Sequence, residues 1–293
     1  MPELPEVETI RIGLAGSVLG KTISKVTIRN RRIVVRPHPG RWSRALEEQT
    51  IRRIARRGKF LLFTTDHFRL LVHLGMTGQL TYRDKSRIDD PNFFVHPLTG
   101  LQKARQHAVD KHTHLSLYFT DGNAMHYRDI RQFGKWRLYG MEEFKQAKEY
   151  WSLGVEPFTS QYSWARFLAG MEGRKTRIKS LLLNQHFVAG LGNIYVDEAL
   201  FEAGLHPLRS CQSLTEEEKR KLFRSIPRVL KRGLRYGGTS FQNYVNARGE
   251  AGANQERLRV YGRSGQPCRR CRSPVSRIIV SQRGSHFCAR CQR

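Results

Sequence analysis

The residues that could do chemistry sit at the two ends of this 293-residue chain. Near the C-terminus, Cys268, Cys271, Cys288 and Cys291 are spaced C-x2-C-x16-C-x2-C. Two close thiolate pairs suit a tetrahedral Zn2+, and the spacing reads as a zinc ribbon or finger rather than as a disulfide set. Four protein ligands close the coordination sphere, so one zinc held there is structural and not catalytic. At the N-terminus, Pro2 is small enough that removal of the initiator Met is expected, which leaves a secondary amine. An α-amino group titrates roughly 2–3 units below a lysine and is better suited to imine chemistry at neutral pH. Glu3 and Glu6 lie beside it, and a carboxylic acid there could pass a proton to a leaving or ring oxygen. The same residues also suit a plain helix start, with proline in the first turn and acids at the positive end of the dipole. Composition alone favours the plain helix start.

Both ends belong to a strongly basic chain, with 52 Lys+Arg against 25 Asp+Glu and a formal net charge of +27. Such an excess repels itself unless a polyanion is near, and nucleic acid is favoured over an anionic membrane surface or a solubility adaptation. Residues 268–293 carry seven arginines and no carboxylate, which makes the cysteine-rich end a basic hairpin. No run of about 18 apolar residues suggests a spanning helix, and no apolar signal-peptide core is visible. A cytoplasmic location is therefore expected, nucleoid-associated if the source is bacterial. Cys211, the fifth cysteine, is read as a reduced thiol without a particular role.

The elements that must position these groups follow from periodicity. Val7, Ile10, Leu14 and Val18 share one face of a helix expected over Glu6–Leu19, which Gly20 ends. Short β-rich runs follow at 22–28, 32–36, 60–64, 70–74 and 115–119, and they point to a sandwich or barrel-like domain. Residues 84–111 interrupt that pattern with Pro, Gly and mixed charge and read as an exposed insertion. His107, His112 and His114 are read as a polar loop leading into a strand rather than a second metal site. Beyond a hinge at 153–158 the period becomes helical: Trp164, Phe167, Leu168 and Met171 share a face, as do Leu222, Ile226, Val229 and Leu230. Ser213 and Glu216 have the spacing of a capping box ahead of the latter helix.

Five segments in order resemble the formamidopyrimidine-DNA glycosylases, repair enzymes for oxidised purines. They are Pro2-Glu3-Leu4-Pro5-Glu6-Val7-Glu8, Arg57-Gly58-Lys59-Phe60-Leu61-Leu62, His73-Leu74-Gly75-Met76-Thr77-Gly78, Gly190-Leu191-Gly192-Asn193-Ile194-Tyr195 and the zinc hairpin. The resemblance covers nearly the whole chain apart from the insertion. It implies that Pro2 attacks C1′ of the damaged nucleoside and leaves a Schiff base from which β- and δ-elimination cut the strand. Glu3 matches the acid that protonates the deoxyribose ring oxygen, Glu6 a supporting carboxylate, and Lys59 a lysine near the lesion and its phosphate. A base flipped out of the stack leaves a gap. The residues that fill it match Met76, Arg131 and Phe133. Asn193 and Tyr195, Lys179, and Arg283 match positions that bind the DNA backbone. One departure stands nearby: many members read Asp-Pro-Arg-Arg-Phe-Gly where this chain has Asp129-Ile130-Arg131-Gln132-Phe133-Gly134.

The implied fold is α+β. An N-terminal catalytic β-sandwich flanked by helices spans 1–152, and the hinge 153–158 follows. A helical domain with a helix–two-turn–helix spans 159–262, and a zinc-finger β-hairpin spans 263–293. Within the helical domain, residues 243–261 include the loop that closes over the extruded base in the family. The implied activity is that of a bifunctional DNA glycosylase/AP lyase acting on 8-oxoguanine and formamidopyrimidines in double-stranded DNA, as a monomer. Two alternatives stay open, an endonuclease VIII-type enzyme for oxidised pyrimidines and a catalytically inactive damaged-DNA-binding protein. Leu4 and the complete Met76/Arg131/Phe133 set favour the purine branch.

Overall fold

The structure is a computed structural model that describes residues 1–87, 109–241 and 243–293. Most of the expected insertion, His107 included, lies outside the described residues. The chain divides into two compact units, one of Met1–Trp151 with Tyr236–Gln255, the other of Ser152–Arg235 with Glu256–Arg293.

The first unit opens with helix α1 (Leu4–Val18), whose Val7, Ile10, Leu14 and Val18 are buried as their spacing demands. The strands that follow are β1 (Ile23–Ile28), β2 (Val34–Arg36), β3 (Arg53–Arg57), β4 (Phe60–Thr64) and β5 (Phe68–His73), with helix α2 (Pro39–Leu46) inserted after β2. They continue with β6 (Gly78–Arg83), β7 (Thr113–Phe119), β8 (Ala124–Asp129) and β9 (Lys135–Gly140), and a short helix α3 (Lys148–Trp151) closes the run. Two sheets result, a four-stranded one in the order β1-β7-β8-β6 and a five-stranded one in the order β2-β9-β5-β4-β3. Alternate residues of both sheets, such as Leu117, Met125, Phe63 and Trp136, meet the apolar face of α1 in one core.

Sequence patterning located β4 at its observed bounds but passed over α2, β3, β6, β8 and β9. The physical reason is visible in β3, Arg-Ile-Ala-Arg-Arg, in which Ile54 alone is buried. In β8 and β9 the inward residues are Met125, Tyr127, Trp136 and Leu138, separated by charged or polar neighbours that disguise the period of two.

The second unit contains α4 (Trp164–Ala169), α5 (Ile178–Leu183), α6 (Asn193–Ala203) and α7 (Glu216–Arg235), followed by a hairpin of β10 (Ser276–Val280) and β11 (Arg283–Phe287). Residues 153–158, expected to be a hinge, are tied into this unit: Gly154 N–H donates to Gln185 O at 2.8 Å and Val155 N–H to Phe187 O at 3.1 Å. Phe201 of α6 packs with Val260, Val275, Cys268 and Cys288 beneath the hairpin. Glu198 of α6 is wholly buried and accepts the N–H groups of Arg259, Val260 and Tyr261 at 2.9, 2.9 and 3.1 Å. Burial pushes its carboxyl above the usual carboxylate range, against the pull of those amides and of Arg232.

The capping box of α7 lies two residues beyond the expected one. Thr215 Oγ1 accepts Glu218 N–H at 3.2 Å, and Glu218 Oε2 accepts Thr215 N–H at 2.8 Å. Ser213 instead bonds with Arg209 and Ser210. Replacing Thr215 by Ala should cost about 1 kcal/mol of stability in urea denaturation. An unchanged midpoint would show that the cap contributes nothing.

Candidate active site and nucleic-acid interface

The first unit gathers the N-terminal chemistry around one carboxylate. Glu6 Oε2 accepts the N–H of Glu3 at 2.8 Å, and its Oε1 accepts the N–H of Thr239 at 2.8 Å. Tyr244 braces the same loop, its hydroxyl donating to Gly237 O at 3.0 Å and lying 3.4 Å from Glu6 O of α1. Gly238 has φ +88° and lies so close to Glu6 that a Cβ would stand 3.0 Å from its Cγ, so only glycine fits there. Residues 236–255 therefore pack with the N-terminal helix, and they include the first part of the 243–261 segment.

Pro2, Glu3, Glu6 and Lys59 are all buried. Lys59 is placed by a tight turn between β3 and β4, which Arg56 supports by bonding Glu8 of α1 at 2.9 Å and Gly58 O at 3.0 Å. The chain's amino terminus feels Glu3, Glu6, Lys59 and Arg131, and burial, the largest influence, lowers its pKa below the usual amine value. The four catalytic residues expected from the sequence thus meet in one place. His73, which sequence reasoning passed over, lies beside Lys59. Its Nδ1 accepts the N–H of Gly75 at 3.1 Å, and burial, then Lys59 and Arg137, lower its pKa to about 4. The ring is neutral at pH 7, and with Nδ1 occupied as an acceptor its proton sits on Nε2.

Met76, Arg131 and Phe133 stand on two adjoining loops, with Met76 41% and Phe133 49% exposed. Large apolar side chains left in solvent on a folded unit suggest a surface that another molecule covers. The Arg131 guanidinium lies 4.8 Å from the centre of the Phe133 ring. Asp129, fully buried, bolts the loops together. Its Oδ1 accepts Thr77 Oγ1–H at 2.5 Å and Arg131 N–H at 3.3 Å, and its Oδ2 accepts Tyr127 O–H and Gly134 N–H, both at 2.9 Å. The backbones also touch. Gly75, at φ +70°, would bring a Cβ within 2.6 Å of Gly134 N. The Asp-x-Arg-x-Phe-Gly string held the signal for Asp129, but a carboxylate's burial cannot be read from a loop sequence.

In the second unit the expected backbone-binding positions divide. Arg283 is exposed at the tip of the β10–β11 hairpin, after a turn in which Ser281 and Gln282 are both left-handed (φ +50° and +60°). Such a pair marks a type I′ turn, which matches strand twist at some cost for non-glycine residues. Asn193 is half-buried, and its Nδ2 donates to Gly284 O at 2.8 Å. Lys179 corrects the expectation for that position. It is 0% exposed, with its ammonium 2.5 Å from Asp197 Oδ1 and 3.4 Å from Gly284 O. Tyr195 is corrected likewise. It is 1% exposed and packs so closely on α7 that a Cβ at Gly233 would lie 2.4 Å from its hydroxyl. A motif position gives no helical phase, and both side chains face inward. Asp197 Oδ2 also accepts His286 N–H at 2.8 Å, so Asn193, Lys179 and Asp197 together hold β11.

The sulfur atoms of Cys268, Cys271, Cys288 and Cys291 all lie within 4.8 Å of one another, and none is in a disulfide. Zn–S bonds of about 2.3 Å in a tetrahedron require sulfurs about 3.8 Å apart. The Cys268–Cys291 and Cys271–Cys288 separations, 4.0 and 3.4 Å, fit that requirement.

Three family models match in succession. They are the formamidopyrimidine-DNA glycosylase N-terminal domain over residues 1–136, its H2TH domain over 153–245, and the zinc finger found in FPG and IleRS over 265–293. The formamidopyrimidine-DNA glycosylase of Bacillus licheniformis is 41% identical, with both chains covered in full. That of Enterococcus faecalis is 41% identical over all of this chain and 98% of its own. The chain belongs to the formamidopyrimidine-DNA glycosylase family. Among solved structures, Lactococcus lactis Fpg in complex with N7-benzyl-Fapy-dG DNA matches at a TM-score of 0.85 and 34% identity over both whole chains. Its complex with abasic-site DNA matches at 0.85 and 34% over 99% of each chain. The α+β architecture with its helix–two-turn–helix and zinc hairpin is that of the family, and the cysteine quartet holds one structural zinc. Among the described residues no helix is long and apolar enough to cross a membrane.

Two substitutions test the buried carboxylates of this glycosylase-family chain. Lys179→Met leaves Asp197 charged and partnerless on that side, which should cost about 3–5 kcal/mol in denaturant unfolding. A surface phosphate contact would leave the midpoint unmoved. Asp129→Ala leaves the Thr77 hydroxyl and Gly134 N–H without their carboxylate acceptor, while Arg131 N–H keeps Thr77 Oγ1 and Tyr127 O–H keeps Leu74 O. It should cost about 1–3 kcal/mol; a wild-type midpoint would show that the two loops stand without it.

Proposed function

We propose that the protein is a bifunctional DNA glycosylase/AP lyase of base-excision repair, acting on oxidised purines in double-stranded DNA. The observation that carries the reading is the amino terminus buried among Glu3, Glu6, Lys59 and Arg131. Once Met1 is removed, the secondary amine of Pro2 starts from these same surroundings. Burial disfavours its ammonium form and so raises the share of neutral nucleophile near pH 7.

In this mechanism the Pro2 nitrogen bonds to C1′ of an extruded nucleotide, and the base leaves with the electron pair of the glycosidic bond. Glu3 protonates the ring oxygen as the C1′–O4′ bond opens, giving the Schiff base. Glu6 holds the backbone of Glu3 so that this carboxyl cannot swing away. Loss of a C2′ proton then expels the 3′ phosphate, and a second elimination expels the 5′ phosphate. Lyase activity of this kind is what the family leads one to expect. Lys59 holds a phosphate beside the lesion in this mechanism. Met76 and Phe133 fill the vacated stack, and Arg131 offers donors to the unpaired base. Asn193 acts by fixing the hairpin that presents Arg283 to the DNA backbone, while Lys179 and Tyr195 support that unit from within. The protein works as a monomer on chromosomal DNA in the cytoplasm.

Leu4 and the complete wedge set favour purine lesions over the pyrimidine lesions of the endonuclease VIII type. Comparing excision of 8-oxoguanine and thymine glycol from otherwise identical duplexes separates the two readings. Borohydride reduction on an abasic-site duplex should trap a covalent adduct with processed protein. Pro2→Gly should weaken trapping by about tenfold or more, with little change in duplex affinity. Absence of an adduct from protein shown by mass to lack Met1 would sink the imine mechanism.

A further inference from the structure

Beside the wedge loops the first unit carries a basic turn, residues 30–33, whose cations have no partner among the described residues. Asn30 spends both ends of its amide there. Its Oδ1 accepts Arg32 N–H at 3.0 Å and shapes the turn, while its Nδ2 donates to Gln132 Oε1 at 2.9 Å. Gln132 is the residue that replaces the second arginine of the family string, and it sits in the left-handed region at φ +58° between Arg131 and Phe133. On the other side of Phe133, the Lys135 ammonium donates to Arg32 O at 3.4 Å. The turn is also fixed from behind, where Arg29 N–H donates to His114 O at 2.9 Å. It is therefore fastened to the wedge loop at two points that flank Phe133.

The turn presents Arg31 and Arg32, both exposed. Among the described residues neither guanidinium has an ion-pair or hydrogen-bond partner. Some arginines of this unit are matched, Arg52 with Asp66, Arg56 with Glu8, Arg128 with Asp110 and Arg137 with Glu149. Two adjacent unmatched guanidiniums on a rigid turn repel each other unless an anion joins them, and phosphates of a nucleic-acid strand supply anions in a row.

We propose that the 30–33 turn is an arm that grips phosphates of the strand opposite the lesion, and that the Asn30–Gln132 bond sets the register of Arg131 from that grip. This rests on the reading of Met76, Arg131 and Phe133 as the residues that enter the duplex. The wedge faces the unpaired base, so the cations that flank it meet the strand carrying that base. Gln132 thus exchanges a charge of its own for a neutral tether to two arginines. Arg31 and Arg32 are contact residues, and Asn30 and Gln132 are positioning residues.

The test uses full-length processed protein and lesion duplexes in which selected phosphates are replaced by neutral methylphosphonates. Neutralising two phosphates opposite the lesion should weaken wild-type binding by about tenfold or more and leave the Arg31→Ala/Arg32→Ala variant almost unaffected. That variant should lower the slope of log affinity against log salt by about 2, since each phosphate no longer neutralised accounts for about 0.9. Asn30→Ala and Gln132→Ala should reduce the preference for 8-oxoguanine paired with C over 8-oxoguanine paired with A, with cleavage of a single-stranded abasic site unchanged. If neutralising the opposite strand weakens both proteins equally, or neither, the arm does not exist. If the slope falls but the variant's sensitivity vanishes only for lesion-strand methylphosphonates, the arginines grip the other strand and the proposal is wrong. Met76→Ala and Phe133→Ala run alongside. Wild-type excision by both would overturn the underlying wedge reading instead, whatever the arginines do.

Discussion

The first unit depends on a single carboxylate. Glu6 accepts a backbone N–H from Glu3 at the start of the chain and another from Thr239, 233 residues away. A buried carboxylate is tolerable only if its oxygens are satisfied, and here the backbone satisfies them. The consequence is positional. Glu3 cannot move without breaking a bond made by a buried charge, and the loop at 237–244 cannot leave without stranding that charge. The amino terminus, a place where chains ordinarily fray, is thereby tied to the core through Glu3.

The same device recurs with other partners. Asp129 bolts two loops that carry apolar side chains out into solvent, and Asp197 and Glu198, neighbours on α6, both hold the zinc-bearing segment. In each case the exposed groups are ordinary and the buried acid is what makes their geometry reproducible. A chain with so few carboxylates for its many cations has committed several of them to the interior. Its surface is left more positive than its composition implies, which suits a protein that meets DNA.

What the sequence reveals follows the same division. The cysteine quartet was legible because metal ligation imposes spacing directly on the chain. Pro2, Glu3 and Lys59 were legible through the motifs around them, and β4 through an unbroken apolar run. The strands rich in arginine or broken by polar residues were not, since their inward positions number one or two each. The burial of Lys179 and Tyr195 was not legible because a motif match records position and not phase. Asp129, His73 and Asp197 were passed over for a related reason. Their importance lies in being buried beside particular donors, and such tertiary pairing leaves little trace in local pattern. The capping box slipped by two residues because Ser213 and Thr215 each have a glutamate three positions on.

The long reach of Glu6 also bears on how the protein is made. Synthesis proceeds at roughly 5–20 residues per second, so Thr239 emerges on the order of 10–50 s after the N-terminus. Until then the loop that completes the pocket does not exist, and the first residues remain open to the aminopeptidase that must remove Met1. Afterwards the first residues are tied to that loop through Glu6. The order of translation thus sets the order in which the site is completed, with the nucleophile's end of the chain made first and the loop that ties it down made last.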